Sequence, residues 1–320
     1  MVKENRKSQN KQKLIRILCL CLVCSSVSGF FANDFFIADI LDQFQFQYFV
    51  CFLILALYLA LTRDLNYIAI AVTGVAFNIA PLIYILQPES NAKVTTKTES
   101  FRLLQWQLPD GSLTPAEASK YVKNSNADIV GLVNMTDDDT LLARSMRKSY
   151  PHTIFFPNTN GRRIQIFSRY PVTTKSQNQL EHKAARTFAT AQFKIGEKKL
   201  EMMMIKAGLP TQSRALKSRN ARIAAAYHWL KNRKYPAIVA GNLGATPWSR
   251  TLKSVIADKH IFAADMGRGW QPTWSLHRFL KFFSIPTDLT LHNRFLSTTG
   301  RSTSRNMKSN HQAIITDFSI

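Results

Sequence analysis

Three apolar runs dominate the first ninety residues of the chain. Residues 17–33, 44–61 and 65–86 contain no charged side chain. Because a helix of about 20 residues crosses the hydrocarbon core of a membrane, these runs predict three transmembrane helices. The first two are short for a full crossing and require local thinning of the bilayer or snorkelling of flanking side chains. Asn78 and Pro81 predict a kink in the third helix.

Two other interpretations of the apolar runs remain open. A cleaved signal peptide also combines a basic start with a short apolar centre, but here two further apolar runs follow at once. A soluble helical bundle would need polar positions for an outer face, and these runs provide few. We therefore favour membrane spans.

The rest of the chain alternates between patterns typical of strands and of helices. Thr114 and Glu117 form a predicted capping box, and Pro115 suits the first turn of the helix that follows. A domain with this mixture fits two packed sheets flanked by helices. Strands are predicted at residues 101–108, 127–133, 163–167, 185–195, 199–205, 237–240 and 314–318, and helices at residues 114–124, 141–149 and 213–232.

The distribution of charge predicts the orientation in the membrane. The chain has 42 Lys and Arg against 20 Asp and Glu, and six of the basic residues precede the first apolar run. The loop after that run carries Asp34, Asp39 and Asp42 and no Lys or Arg. The positive-inside rule therefore places the N-terminus in the cytoplasm and, after three crossings, the polar half on the far side.

The predicted organisation has four parts. All four cysteines lie in the apolar half, which suits a polar half in an oxidising compartment. We expect a protein of the bacterial inner membrane with a periplasmic or extracellular domain. The parts are a basic cytoplasmic tail (residues 1–16), three transmembrane helices (17–86), a polar linker (87–100) and an α/β domain (101–320).

Six short segments mark strand ends and turns in the α/β domain. They are FRLLQWQ (101–107), ADIVGLVN (127–134), VAGNLGATPWS (239–249), GRGWQPTW (267–274), IPTDLTL (285–291) and SNHQAIITDF (309–318). In this order they resemble the motifs of the endonuclease/exonuclease/phosphatase family. With the preceding spans, the chain resembles a membrane-anchored bacterial branch of that family. The resemblance implies a four-layer α/β/β/α sandwich with the active site at one end of the two sheets.

The resemblance also implies a magnesium-dependent phosphoesterase site, but most of its positions are altered here. Only Asp288 and His311 match; in the family they form a pair in which the carboxylate orients a histidine that contacts the scissile phosphate. The altered positions are Gln107 for an Asn, Asn134 for a metal-binding Glu, Ala207 near a His, Asn242 for the base Asp, Gly244 for an Asn, Leu289 for a His and Asn310 for a metal-side Asp.

These departures remove what hydrolysis needs. Phosphoester hydrolysis requires a hard cation on the phosphoryl oxygens and a base for the attacking oxygen. Mg²⁺ prefers carboxylate oxygens, and three of the expected carboxylates are uncharged amides. We therefore predict a pseudoenzyme without a metal cofactor. Returning positions 134, 242 and 310 to carboxylates is expected to recover metal binding before rate, because catalytic groups act as a unit.

Each feature also has a purely structural interpretation. Asp288 and His311 would form a buried hydrogen-bonded pair with no ligand, and the glycines of the 241–246 turn would serve its shape. Residues 297–308 would be a polar loop. Trp106, Trp248 and Trp274 are interpreted as core. The basic residues in and just after the 213–232 helix would form a solvated face: Arg214, Lys217, Arg219, Arg222, Lys231, Arg233 and Lys234.

Three functions from different classes remain open. The first is an inactive domain that binds anionic lipid head groups or other polyanions, because residues 91–320 carry a formal charge of +21. His311 and backbone N–H groups of the 241–246 turn would then hold the anion. The second is a residual hydrolase or transferase that uses Asp288 and His311. The third is a scaffold for a protein partner. Membrane lipids are expected partners in each, and nucleic acid in none.

Overall fold

The N-terminal part of the chain is helical, as the apolar runs predict. A computed structural model describes residues 2–63, 65–88, 99–109, 114–136, 140–157, 163–176, 188–277, 280–304 and 309–320. A short 3₁₀ turn, Ser28–Phe31, follows the first helix. The helices of this part are α1 (Val2–Val27), α2 (Phe36–Asp42), α3 (Gln45–Leu61), α4 (Leu65–Phe77) and α5 (Ala80–Leu86).

One helix of the described residues is long and apolar enough by itself to cross a membrane. It covers the 23 residues Gln9–Phe31. Helices α2 and α3 pass the same test only as a pair bent by 60°, and α4 and α5 only as a pair bent by 42°. The second bend falls between Phe77 and Ala80, which confirms the kink predicted from Asn78 and Pro81. The total is three spans if each bent pair is a single span.

Within the described residues, the polar half forms two six-stranded mixed sheets. The strands are β1 (Ser100–Gln107), β2 (Ile129–Met135), β3 (His152–Pro157), β4 (Arg163–Ser168), β5 (Val172–Ser176), β6 (Phe188–Ile195), β7 (Lys198–Lys206), β8 (Ala237–Asn242), β9 (Ile261–Ala263), β10 (Asp288–Asn293), β11 (Ser297–Thr303) and β12 (Ile314–Ser319). Sheet A has the order β11-β12-β1-β2-β4-β3, and sheet B has the order β5-β6-β7-β8-β10-β9.

The two sheets pack face to face between outer helices. Leu103 and Ile129 of sheet A share a buried cluster with Met202 and Ile238 of sheet B. A second cluster joins the outer face of sheet A to α6 (Pro115–Ser125) and α7 (Thr140–Met146). A third joins sheet B to α8 (Ser213–Lys231) and α9 (Arg250–Ile256). Burial on both faces explains why the central strands are almost wholly apolar. Two mixed sheets with outer helices agree with the predicted fold class.

The predicted elements lie close to observed ones, with one clear error. The capping box of α6 is confirmed: Glu117 N donates to Thr114 Oγ1 at 3.2 Å, and Thr114 N donates to Glu117 Oε2 at 2.9 Å. The start of the strand predicted at residues 185–195 lies outside the described residues. The interpretation of residues 297–308 as a polar loop is wrong for its first part, which forms β11, while residues 305–308 are not described. An edge strand pairs on one side only, so polar side chains suit it.

The interpretation of the α8 surface as a solvated basic face is wrong at Arg219. This side chain is 1% exposed and forms an ion pair with Asp39 of α2, which is fully buried. Arg219 Nη1 lies 2.9 Å from Asp39 Oδ2 and donates to the carbonyl oxygen of Gly244 at 2.8 Å. The partner stands 180 positions earlier in the chain, so no local pattern indicates it. This ion pair links the N-terminal helices to the α/β domain.

The end of α2 also holds the turn between β8 and α9. Asp42 Oδ2 accepts a hydrogen bond from the backbone N–H of Arg250 at 2.7 Å. This bond satisfies an N–H group at the start of α9, where the N-cap residue Ser249 makes no side-chain capping bond. Gln43 Oε1 accepts from the backbone N–H of Thr246 at 2.7 Å. Polar groups from outside the α/β domain therefore fix the shape of this turn.

Candidate functional site

Four of the residues selected from the sequence meet where the two sheets end. Strands β1 and β2 are parallel, as are β7 and β8, so the carboxyl ends of each pair lie together. Gln107 ends β1 and Asn242 ends β8. Asp288 begins β10, which runs antiparallel to β8, and it pairs with Asn242. His311 lies just before β12, which runs antiparallel to β1. The sheet topology thus brings these four residues to one end of the domain.

A chain of hydrogen bonds joins the four side chains across the two sheets. His311 Nδ1 lies 2.8 Å from Asp288 Oδ2, and His311 Nε2 lies 3.0 Å from Gln107 Nε2. Asn242 Nδ2 donates to Gln107 Oε1 at 3.0 Å. Because a carboxylate only accepts, Nδ1 donates the ring proton to Asp288, and Nε2 faces the Gln107 amide. Both nitrogens of His311 are therefore engaged within the protein.

A lysine contacts Asn134 at the end of β2. Lys206 Nζ donates to Asn134 Oδ1 at 2.6 Å, and Asn134 Nδ2 donates to the carbonyl oxygen of Leu108 at 3.1 Å. Asn134 has a φ of +73° at a register irregularity of β2, a conformation that Asn adopts more readily than most residues. An ammonium group thus contacts the side chain that stands where the resemblance implies a metal-binding carboxylate. Sequence reasoning missed Lys206, although it stands directly before Ala207.

Glycines shape the turn that follows β8. Gly241 has a φ of +130° and Gly244 a φ of +62°. A Cβ atom at these positions would collide with the carbonyl oxygens of Ile205 and Gly208, respectively. Both positions therefore require glycine for steric reasons, whatever the chemistry of the site.

Two N–H groups of this turn are already used inside the protein. The N–H of Leu243 donates to the carbonyl oxygen of Thr287 at 3.0 Å. The N–H of Thr246 donates to the side chain of Gln43. The expectation that the turn would offer its N–H groups to an anion does not hold for these two.

The remaining altered positions do not join the chain of hydrogen bonds. Leu289 is fully buried among the apolar residues between sheet B and its helices. Asn310 is exposed, and its carbonyl oxygen accepts from the backbone N–H of Ser275 at 3.0 Å. Ala207 is half-buried, and its N–H donates to the carbonyl oxygen of Asn242 at 2.6 Å.

Two residues near the site were not selected for a role in it. Thr273 Oγ1 accepts from the backbone N–H groups of Thr287 at 3.0 Å and of Asp288 at 2.9 Å, and so fixes the start of β10. Trp274 is only partly buried, and its backbone bridges both Ile285 and His311. Both residues lie in the GRGWQPTW segment, and this motif could have indicated that they lie near the site.

Trp106 and Trp248 are buried, which confirms their interpretation as core residues. The indole N–H of Trp106 donates to the carbonyl oxygen of His311 at 3.2 Å. This hydrogen bond fixes the backbone of His311 from the outer side of sheet A. The role of Trp106 is therefore to position the histidine, and its ring offers no face to a ligand.

Two arginines, Arg268 and Arg301, carry buried donors. Arg301 Nη1 donates to Gln271 Oε1, and Arg268 Nη2 donates to the carbonyl oxygen of Thr298 at 2.6 Å. Within the described part of the chain, Arg301 Nε and Nη2 and Arg268 Nε have no hydrogen-bond partner. Burial lowers the pKa of Arg301, and nearby negative charges, first that of Asp265 and last that of Asp288, oppose this effect. No pattern in the sequence indicates these two arginines.

The donor set at this end of the domain does not suit a magnesium ion. The described residues include no group of three His, Cys, Asp or Glu side chains placed to hold a metal. The buried Oδ1 atom of Asn242 has no partner among them and is one free amide oxygen. The amide oxygen of Asn134 faces an ammonium group, however, and Asp288 is engaged by His311. Mg²⁺ demands near-octahedral oxygen coordination, and these residues do not supply it.

Comparison with known proteins decides the family. Over residues 108–311 the chain matches the model of the Endonuclease/Exonuclease/phosphatase family. The chain belongs to this family. The resemblance found in its six segments is thereby confirmed, and the match spans the candidate site from the residue after Gln107 to His311.

Solved structures of the family share the fold. An endonuclease/exonuclease/phosphatase from Beutenbergia cavernae is 14% identical over 69% of this chain and 72% of its own, with a TM-score of 0.56. Humanized D. rerio TDP2 is 13% identical over 68% and 98%, with a TM-score of 0.59. The human Nocturnin catalytic domain with bound sulfate is 16% identical over 69% and 96%, with a TM-score of 0.52. At these identities the likeness concerns the fold alone. The chain matches none of the curated proteins.

Proposed function

We propose that this protein is a membrane-anchored, catalytically inactive member of the family whose domain binds anionic groups without a metal ion. The observation that carries the proposal is the contact of 2.6 Å between Lys206 Nζ and Asn134 Oδ1. A bound cation and a lysine ammonium both present positive charge to an anion, but only the cation also activates water. An ammonium group in place of the metal ion therefore still attracts an anion, but it does not activate water for hydrolysis.

The chain of hydrogen bonds supports the loss of catalysis. A general base must accept a proton from the attacking oxygen. The amide of Asn242 is not basic, and Nε2 of His311 is in contact with the Gln107 amide. Gln107 in turn accepts from Asn242, so His311 is engaged within the protein on both ring nitrogens.

The N-terminal helices support a membrane anchor with the domain on one side. The domain contacts Asp39 in α2, Gln47 at the start of α3 and Tyr84 near the end of α5. If each bent pair of helices crosses the membrane once, these three positions lie toward the same face of the membrane. The basic residues that begin the chain lie on the other side. By the positive-inside rule the domain is then periplasmic or extracellular in a bacterial inner membrane.

The first test is metal binding. Calorimetric titration of the full-length chain in detergent with MgCl₂ or MnCl₂ is expected to show no affinity tighter than about millimolar. The physical reason is that the Lys206 ammonium repels a divalent cation and that the remaining oxygens are mostly amides. Micromolar binding together with metal-dependent cleavage of a phosphodiester or a lipid phosphate would overturn the proposal.

The arginine pair supports anion binding. Arg268 and Arg301 are permanently charged, and their unpartnered donors are buried, which is costly unless an acceptor is present. Phosphate oxygens match the planar fork of a guanidinium. Residues 91–320 carry +21, so their long-range field also favours anions. Both ring nitrogens of His311 already have partners within the protein, so we propose the arginine pair as the anion contact.

Replacing Arg301 by glutamine is expected to weaken the binding of inorganic phosphate about tenfold, since a charged hydrogen bond is worth about 1.5–3 kcal/mol. The measurement is calorimetry on the full-length chain in phosphatidylcholine nanodiscs at low ionic strength, where added salt lowers the affinity. Phosphatidylglycerol nanodiscs separate the two sources of phosphate, because a lipid head group in the site lowers the affinity for the free ion.

Arg294→Gln is the matched control. Arg294 is exposed beyond the far end of β10, and its replacement removes the same charge. Equal losses in the two variants would assign binding to net charge and not to the arginine pair. No affinity for phosphate at low ionic strength, in either type of nanodisc, would leave the scaffold function in its place.

A second candidate function is a phosphoesterase with a residual site. It is favoured by the geometry of Asp288 and His311, which keep a contact of 2.8 Å. This function predicts turnover of a phosphodiester that disappears in His311→Ala. The same assay, run during the metal titration, distinguishes it from the inactive protein.

A further inference from the structure

Exposed apolar side chains cluster on the loop between β9 and β10. The loop contains a short 3₁₀ turn, Lys281–Phe283. Residues 266–287 include no Asp or Glu, whereas they include two arginines and a lysine. Large apolar side chains together with basic ones are typical of segments that lie in a membrane interface. The members of this apolar loop cluster, with their exposed fractions, are Leu276 (65%), Leu280 (46%), Phe282 (47%) and Phe283 (45%).

The apolar loop cluster is held against the start of α3. The side chain of Gln47 is buried, and its Nε2 donates to the carbonyl oxygens of Phe282 at 2.9 Å and of Ser284 at 3.1 Å. The ring of Phe283 meets that of Phe44 edge to face, with 6.3 Å between centroids. The loop is thus attached to a helix that belongs to the membrane anchor.

The position of the loop along α3 gives its level in the membrane. The polar residues of α3 are confined to its start, and from Val50 onward the helix is apolar apart from the hydroxyl of Tyr58. Leu57 stands ten residues after Gln47, which corresponds to about 15 Å along a helix. Gln47 therefore marks the boundary between head groups and hydrocarbon, the level at which aromatic residues concentrate in membrane proteins.

We propose that the apolar loop cluster inserts into the lipid bilayer beside α3. The proposal rests on the membrane anchor of the proposed function and goes beyond it, because it makes the α/β domain itself a lipid-contacting body. The cluster contacts the bilayer and not a second protein. It adjoins a membrane span, and the outward-facing side chains of that span, such as Ile54 and Leu57, are exposed. Lys281 lies at the level of anionic head groups.

Insertion of this loop would place the candidate site at the lipid surface. The backbone of Trp274, at the base of the loop, bridges His311. The N–H of Ser275 donates to the carbonyl oxygen of Asn310 at 3.0 Å. The other end of the loop leads directly into Asp288. Lipid phosphates would thus come within reach of the Asp288–His311 end of the domain without leaving the membrane.

Tryptophan fluorescence with brominated lipids tests the insertion in the full-length chain. Phe282→Trp and Leu280→Trp each add an emitter to the five native tryptophans, and the added emission is read by difference. In liposomes of lipids brominated near the head-group end of the acyl chain, both variants are expected to lose most of the added emission. Phe295→Trp is the matched control, because Phe295 is an exposed residue beyond the opposite end of β10.

Leu57→Trp, in liposomes of lipids brominated near the terminal methyl end of the acyl chain, reports on the anchor separately. Quenching at positions 57, 282 and 280 without quenching at position 295 supports the insertion. Quenching at position 57 alone would refute the insertion and leave the anchor intact. No quenching at position 57 would refute the anchor, and the insertion with it. Equal quenching at positions 282 and 295 would show that the loop has no special contact with lipid and would also refute the proposal.

Discussion

Replacing Asp39 by alanine is expected to lower the free energy of unfolding by about 3–5 kcal/mol, the usual cost of breaking a buried ion pair by removing one partner. Asp39 and Arg219 are almost completely withdrawn from solvent. Without the carboxylate, the guanidinium of Arg219 stays buried with only neutral acceptors, such as the carbonyl oxygen of Gly244. Thermal unfolding of the full-length chain in detergent measures the loss.

Two further variants show whether the ion pair is the cause. Asp34→Ala removes a carboxylate from the same loop region, but Asp34 is exposed, so little change in stability is expected. Asp39→Ala combined with Arg219→Met removes both charges and is expected to regain part of the lost stability, because no buried charge is left unpaired. A double variant as unstable as Asp39→Ala would contradict this account.

The docking of α2 has a consequence for the candidate site. Asp39, Asp42 and Gln43 hold the turn that follows β8, and Asn242 ends that strand. The N-terminal helices therefore stabilise the backbone on one side of the site. The α/β domain is better regarded as one unit with its anchor than as an independent module on a linker.

The sequence predicted most strands of the core because burial on both faces leaves a continuous apolar signature. It did not predict β10, which is buried but alternates Asp288, Thr290 and His292 with leucines. An apolar signature does not indicate β11, because this edge strand has one exposed side and consists mainly of Ser, Thr and Arg. Its partner β12 begins with two isoleucines and was recognised. An edge strand is predicted only when the neighbouring strand is considered together with it, because the hydrogen bonds between the two define the edge strand.

The candidate site was predicted position by position from motifs, and Gln107, Asn242, Asp288 and His311 do meet. What could not be predicted was how altered residues satisfy one another. The contact of Lys206 with Asn134 joins residues 72 positions apart in different sheets. A motif gives the residue type expected at a position. The partner of that residue in an ion pair or a hydrogen bond depends on how the two sheets pack.

Lys206 changes what is needed to restore a metal site. Carboxylates at positions 134, 242 and 310 are expected to be insufficient, because the new carboxylate at position 134 would pair with the Lys206 ammonium. Two unit charges about 4 Å apart interact by about 4 kcal/mol at an effective dielectric constant near 20. The triple variant Asn134→Glu, Asn242→Asp, Asn310→Asp is therefore expected to bind Mg²⁺ no tighter than about millimolar.

Adding Lys206→Ala to the triple variant is expected to tighten Mg²⁺ binding at least about tenfold, a change of about 1.4 kcal/mol and well within the energy of the removed repulsion. Lys199→Ala in the same background is the matched control, since Lys199 is exposed near the opposite end of the same strand. Calorimetry measures both. Rate is not expected to return, because Gln107, Leu289 and Ala207 still replace groups that act together with the metal. Equal affinities with Lys206→Ala and Lys199→Ala would mean that the ammonium does not occupy the place of the cation.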